Sequence, residues 1–558
     1  MGGMNWQSKY KSLDAFIEAK IATRVEAAAR DSYNVIETVQ KLFPRSWKGV
    51  KGKTFRAYVQ RARELGYDIP DLNTLYKRKE KIARPQLDNL RFPFTRQDEV
   101  EESARFIITS ALNDVPLDSD FWKTIERYAK ENDAMIIVVP ARYLNPTRKG
   151  QADQADDYRW PSEVMPYLTD DLVELHEHLH LRADVRIQAT ASRPLSGIQD
   201  LTKGTSAIFG HAQLAMEMVP APQNSMPKVM WTTGSVSESR YSDTKLGIRG
   251  RFHHSLGALV VELNGPKFHA RPVLWDGEGF YDVARECRYY TPKKTTAGEA
   301  EALLPGDDHA DFADEKCVVA TYTGDASIAR VTKTKKVIRN DVFDGYSISH
   351  HHEKNPVTKI AKARGGRDLV REELQRCADY IDRTTPKGAE NIVIPSNHHD
   401  HLLQWMKRAS PLTDPRNADA YIELWAALAP TIKLGAEGTT CGDPLALWLA
   451  PRLKSKARFL NQNESCRIAG IEVGYHGHEG INGARGSLAQ YARLGVKTVI
   501  GHSHTPGITK GAYQTGTMTG RLEYQSGPST HAQCHVLIYP NGKRQHIFVI
   551  DGEWRLEE

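Results

Sequence analysis

No run in these 558 residues approaches the ~18 consecutive apolar side chains that a membrane-spanning helix requires. The opening segment MGGMNWQSKY lacks the apolar core of a secretory signal, and Trp6 stands where a myristoylation signal wants serine or threonine. Cysteine is scarce: Cys287, Cys317, Cys377, Cys441, Cys466 and Cys534 are scattered and form no Cys-x-x-Cys pair. That excludes a disulfide framework and a zinc ribbon, and it predicts a reduced, cytoplasmic protein without a membrane partner. A chain of this length has room for two to four domains, each with its own core.

Charge is not scarce, but it is uneven. Residues 1–100 carry 20 lysines and arginines against 12 aspartates and glutamates, whereas the remainder carries 55 against 57. All the excess positive charge therefore lies in the first hundred residues, the electrostatic footprint of a nucleic-acid partner or simply of a solvated basic face. Leu13, Phe16, Ile17, Ile21 and Val25 recur at helical spacing, and Pro44 closes the run that follows. A second helix is predicted from Thr54 to the stop at Gly66, with Arg56, Gln60 and Arg63 forming a polar stripe at i, i+4 and i+7. Helix, turn and striped helix describe a helix-turn-helix DNA reader, and equally a small helical bundle with a charged face.

Residues 101–300 read as an accessory α/β domain of unassigned role. A strand at 106–109, a helix at 120–132 and a strand at 134–139 predict a parallel pair, and two further strands are expected at 257–263 and 268–274. No glycine-rich phosphate loop occurs there. His176, His178 and His180 are dense, and a surface helix is the expectation for them, since His178 would point away from the other two.

From residue 301 the pattern changes. Five polar clusters punctuate alternating strands and helices: GDDH at 306–309, NDVFD at 340–344, SNHHD at 396–400, HGH at 476–478 and GHSH at 501–504. Each lies beside an apolar stretch, as a loop at the end of a buried strand does. A helical insertion is expected near 410–460, and a β-hairpin at the C-terminus. Together the clusters offer carboxylate, amide and imidazole ligands in the number that two adjacent divalent cations need. Oxygen and nitrogen donors without thiolate suit such ions better than a tetrahedral structural zinc.

The order of these clusters resembles the calcineurin-like metallophosphoesterase superfamily, over about 250 residues. The resemblance implies an α/β fold in which a β-sandwich is flanked by helices in four layers (αββα), preceded here by the accessory domain and a small helical one. It implies Asp307, His309 and His504 on one ion, Asn397, His476 and His502 on the other, and Asp341 bridging both. His398 would protonate or stabilise the departing oxygen. Mn²⁺ is the favoured ion, with Mg²⁺, Fe or Zn²⁺ as alternatives. Two departures matter. Asn340 stands where the family has glycine, which predicts a positive φ at Asn340. His399 stands where a carboxylate would orient His398, leaving that task to Asp400 or another group. His351 and Arg485 are candidates for binding substrate phosphate, as are Arg364, Arg367 and Lys359.

A basic N-terminal segment before a two-metal centre favours DNA, duplex and without strong sequence preference, as substrate. The whole layout is also similar to large phage-encoded metallophosphoesterases, the pre-early proteins that degrade host DNA in the infected cytoplasm. The expected activity is thus a metal-dependent DNase. The alternative is a phosphatase or nucleotide hydrolase acting on a small phosphoester. A homo-oligomer is compatible with either.

Overall fold

The computed structural model describes residues 103–143, 160–223, 225–435, 438–522 and 525–556, with Asp14, Ala15, Glu64 and Val100 besides. The chain divides into two compact units, Met1–Arg91 and Phe92–Glu558, and the architecture below is that of the second. Arg56, Gln60, Arg63 and the helix-turn-helix expectation lie outside the described residues. The boundary expected at residue 300 falls inside the second unit. Strands on either side of it share one sheet, so residues 101–300 are not a separate body.

Of the five sheets among the described residues, the three largest build the core of the unit. The six-stranded sheet runs Ala457–Phe459, Glu390–Val393, Lys336–Arg339, Ala302–Leu304, Cys534–Ile538 and Arg544–Phe548 in spatial order. Its first four strands are mutually parallel and its last two form the C-terminal hairpin. A four-stranded sheet is ordered Met135–Ala141, Arg105–Leu112, Gly257–Asn264 and Lys267–Leu274, and its first pair is parallel, as the β-α-β pattern predicts. The ten-stranded sheet joins Leu172–His176, Leu179–Arg182, Ser206–Phe209, Met216–Val219 and Lys228–Thr232 to five short strands between Arg467 and Gln514.

Side-chain alternation explains the layering. Successive residues of a strand point to opposite faces. Leu304 and Ile338 face one core while their neighbours Leu303 and Val337 face another. The four-stranded sheet sends Phe106 and Ile108 into that first core, and the ten-stranded sheet adds Leu181, Ile208, Trp231 and Val499. The three sheets therefore share one apolar interior. On the far side of the six-stranded sheet the second core is filled by helices: Leu374, Cys377 and Ile381 of Val370–Thr384, and Leu402, Trp405 and Met406 of Asp400–Arg408. The insertion contributes Leu424 and Leu428 of the helix Ala418–Leu428 and Leu445 and Trp448 of Pro444–Leu449 to the same layer. On the far side of the four-stranded sheet the helix Ser119–Asn132, capped by Asp118, buries Phe121, Ile125 and Tyr128.

The histidine-dense segment is not a helix. Leu172–His176 and Leu179–Arg182 form an antiparallel hairpin at the sheet edge. Val173, Leu175, Leu179 and Leu181 are buried and Leu172 and Glu174 are exposed, a period of two that overrides the helical reading. No helix among the described residues is long and apolar enough to cross a membrane.

Candidate metal centre

The polar clusters follow the C-terminal ends of neighbouring parallel strands. Asp307 and His309 come after Ala302–Leu304, Asp341 after Lys336–Arg339, and Asn397 and His398 after Glu390–Val393. From the ten-stranded sheet His476 comes after Ile471–Glu472, and His502 and His504 after Thr498–Ile500. This is where parallel sheets characteristically hold ligands, because every loop emerges on the same edge. The loops are sewn together by main-chain hydrogen bonds. Asp308 N–H donates to Asn340 O (2.9 Å), His309 N–H to Asp341 O (2.9 Å) and Gly501 N–H to His476 O (2.7 Å).

All seven expected ligands meet in one place. His309 and His504 bring their Nε2 atoms to 3.0 Å, and Asp307 Oδ2 lies 3.3 Å from His504 Nε2. Asp341 Oδ2 lies 3.0 Å from His476 Nε2, and Asn397 Oδ1 lies 3.1 Å from His502 Nδ1. The backbone N–H of His502 donates to Asp307 Oδ2 at 2.8 Å. Three trios have ligand atoms mutually within 4.8 Å: Asp307–His309–His504, Asp307–Asp341–His476 and His309–Asp341–His398. His398 thus sits as close to the centre as the ligands do.

Backbone strain concentrates here. His309, Asp341, His502 and His504 all adopt left-handed φ, at 44°, 45°, 78° and 55°. Such conformations cost of order 1–3 kcal/mol each and persist where surrounding structure over-determines them. The left-handed residue of NDVFD is Asp341 itself and not Asn340, which corrects the reason offered for the asparagine. Asn340 is retained for its side chain: its Oδ1 accepts from His476 Nδ1 at 3.2 Å, leaving Nε2 toward Asp341. Gly501 is required by proximity, since a Cβ there would stand 2.2 Å from Asp307 Oδ1.

Asp344, the last residue of NDVFD, is the organiser that the sequence did not single out. Its Oδ1 accepts from His309 Nδ1 at 2.8 Å and its Oδ2 from the N–H of Asp311 at 3.1 Å. Its carbonyl accepts from His398 Nδ1 at 2.9 Å. His398 is therefore oriented by a main-chain oxygen, not by Asp400. His399 is buried, with the Phe343 N–H directed at its Nε2 at 3.5 Å, and burial pushes its pKa down to about 3. Beneath the centre Asp308 anchors the loop through Arg339, Tyr322 and Tyr380.

The electrostatics are those of ligands awaiting positive charge. Burial works against ionisation of Asp307 and Asp341, yet His476, with other histidines around it, holds both below the usual carboxylate range. Burial disfavours protonation of His309, but the hydrogen bond to Asp344 and the surrounding carboxylates outweigh it and raise its pKa to about 9. His502 is pushed down to about 4, chiefly by burial. A cation suits this set. Among the described residues Asp307 Oδ1 and Asp341 Oδ1 are buried atoms without a hydrogen-bond partner, and native interiors rarely leave such atoms unpaired. His309 Nδ1 is spent on Asp344, so Nε2, which lies 3.0 Å from His504 Nε2, is the nitrogen left for an ion.

The remaining candidates lie further out. His351 sits on the exposed 3₁₀ turn His350–His352, where with His350 and His401 it forms a separate imidazole trio. His401 links that trio to His398, ring centroids 5.3 Å apart. Arg485 is exposed on the loop after His478. Arg367 is engaged by Asp311 at 2.8 Å, which makes it part of the scaffold.

These features define a mixed α/β protein whose strand ends deliver a buried carboxylate–imidazole centre. No family model and no solved structure matches the chain. Protein A1 of Escherichia phage T5 is 31% identical over 484 residues, which is 84% of this chain and 86% of that protein. The chain belongs to the family of that phage protein.

Proposed function

We propose that this protein is a two-metal-dependent DNA phosphodiesterase of the calcineurin-like type, encoded by a phage and degrading host DNA in the infected cytoplasm. The observation that carries the reading is the convergence of Asp307, His309, Asp341, His476 and His504, with Oδ1 of Asp307 and Oδ1 of Asp341 buried and unpartnered among the described residues. Sheets sharing an apolar core, with helices packed outside the six-stranded and the four-stranded one, support the calcineurin-like assignment. Likeness to a phage protein supports the biological setting.

In this reading Asp307, His309 and His504 hold one cation, Asn397, His476 and His502 the other, and Asp341 reaches both. Bound there, two divalent ions (Mn²⁺ by preference) supply charge for the phosphoryl oxygens and a water acidic enough to ionise near neutral pH. Neutral imidazoles and an amide complete the set without adding negative charge, so a phosphodiester is not repelled. His398 is positioned to pass a proton. The Asp344 carbonyl can only accept, so Nδ1 is the hydrogen-bearing nitrogen and Nε2 is left to serve the departing oxygen. The basic first hundred residues suit a polyanionic partner.

The test is a comparison of substrates with Mn²⁺-loaded protein. Linear DNA should be degraded faster than a chromogenic phosphomonoester is hydrolysed, and His398→Ala should lose cleavage while DNA binding persists. Preference for the monoester would replace this reading with the phosphatase one.

A further inference from the structure

A cleft of about 450 Å³ opens beside the metal centre, with His476 in its wall. It is bounded by the glycine-containing loop from Gly474 to Gly483 and by the segment carrying Gln490 and Tyr491. Its chemistry is unlike that of a phosphate site. Among the described residues lining it there is no lysine or arginine. Most of its polar groups are neutral, the carboxamides of Gln462, Asn463, Asn482 and Gln490 and the imidazole of His478; the carboxylate among them, Glu479, accepts from Gln462 Nε2 at 3.2 Å. Tyr475 is half-buried against Tyr491, ring centroids 6.0 Å apart. Tyr491 donates to Glu479 O at 2.6 Å, which fixes the loop.

Among the described residues three buried atoms in this wall have no partner: Nδ1 and Nε2 of His478 and Oε1 of Gln490. Unpaired buried donors and acceptors mark a place where a ligand completes the hydrogen bonds. A flat, neutral, hydrogen-bonding group is the match: amides read base edges, aromatic faces stack on bases, and the volume admits one nucleotide. We propose that this cleft takes an unpaired nucleobase of the strand whose phosphate lies at the metal centre, so that DNA with unstacked bases is cut fastest. This rests on the nuclease reading and adds the substrate class to it. A base inside a duplex must leave its stack to enter, at a cost that single strands and frayed ends do not bear.

The test uses the full-length Mn²⁺-loaded protein and three end-labelled substrates of equal length: a single strand, the same strand with a central run of abasic sites, and the duplex. Cleavage within the base-bearing single strand should exceed cleavage within the abasic run by about tenfold, the scale of losing one stacked base. Tyr475→Ala and Gln490→Ala should each pull that ratio toward one, and Tyr475→Phe, which keeps the aromatic face, should restore it. Reading the ratio within each variant removes any general loss of folding or metal. Equal rates on abasic and base-bearing strands, with DNA still cut, would overturn the cleft assignment and leave the nuclease reading standing. Failure to cut any DNA while a small phosphoester is hydrolysed would overturn both.

Discussion

Two of the clusters of buried charge within this unit are finished in opposite ways. In the four-stranded sheet Arg271 binds Asp282 through Nε and Nη2, at 2.7 and 2.9 Å, and Glu262 through Nη1 at 2.7 Å. Tyr128, Gln545 and the Ala284 N–H fill the remaining sites on Asp282, and Arg105 with the Leu556 N–H fills those on Glu262. At the strand ends Asp307 and Asp341 are as deeply buried, yet among the described residues each keeps one oxygen unpartnered and no arginine or lysine pairs with either. A buried charge needs compensation. Where protein atoms provide all of it the cluster is architecture; where the described atoms stop short, our proposal is that a bound cation supplies the rest.

The contrast can be broken at either end. The largest effect is expected from Asp341→Ala, which removes the group shared by both proposed cation positions. Metal-dependent hydrolysis should fall by roughly 10²–10³-fold or more, measured as kcat on linear DNA with unfolding followed alongside. Arg271→Met should do the reverse. Leaving Asp282 without its arginine and Glu262 with Arg105 alone should cost about 3–5 kcal/mol in denaturant unfolding, with metal content unchanged in the folded fraction. An intermediate effect is expected from Asp344→Asn. Its weakened hold on His309 should lower metal affinity by about 10–100-fold, measured by calorimetric titration.

The smallest effect, taken per unit, is that of pH. His309 in the metal-free protein has its pKa raised to about 9, so below that value it carries a proton that a cation must expel. Metal affinity should therefore rise with pH up to about 9. It should fall by about tenfold for each unit of acidification while one proton is displaced. Affinity flat between pH 6 and 9 would remove His309 from the ligand set.

The difference between the two clusters also explains what the sequence could and could not disclose. Asp307, His309, Asp341, Asn397, His476, His502 and His504 were legible because each stands in a short polar motif after an apolar strand, and loop position follows from strand position. The tail hairpin and the helices at 119–132 and 418–428 were legible from local periodicity. Asp344 was not, because its task depends on His309, 35 residues earlier, and His398, 54 later. Asn340 was misread for the same reason: its partner His476 is 136 residues away. The joining of residues 172–232 to strands near 470–514 rests on contacts across hundreds of residues, and no local pattern announces them. The charged network around Arg271 was invisible in sequence, since its members look like surface residues until the sheet buries them.

The most direct measurement is the metal stoichiometry of the full-length protein, stripped by chelation and reloaded with Mn²⁺. The account predicts two ions per chain, both retained in Arg271→Met and at least one lost in Asp341→Ala. A wild-type protein that binds no ion under these conditions would contradict it, because the orphaned atoms of Asp307 and Asp341 would then have no reason to be left as they are.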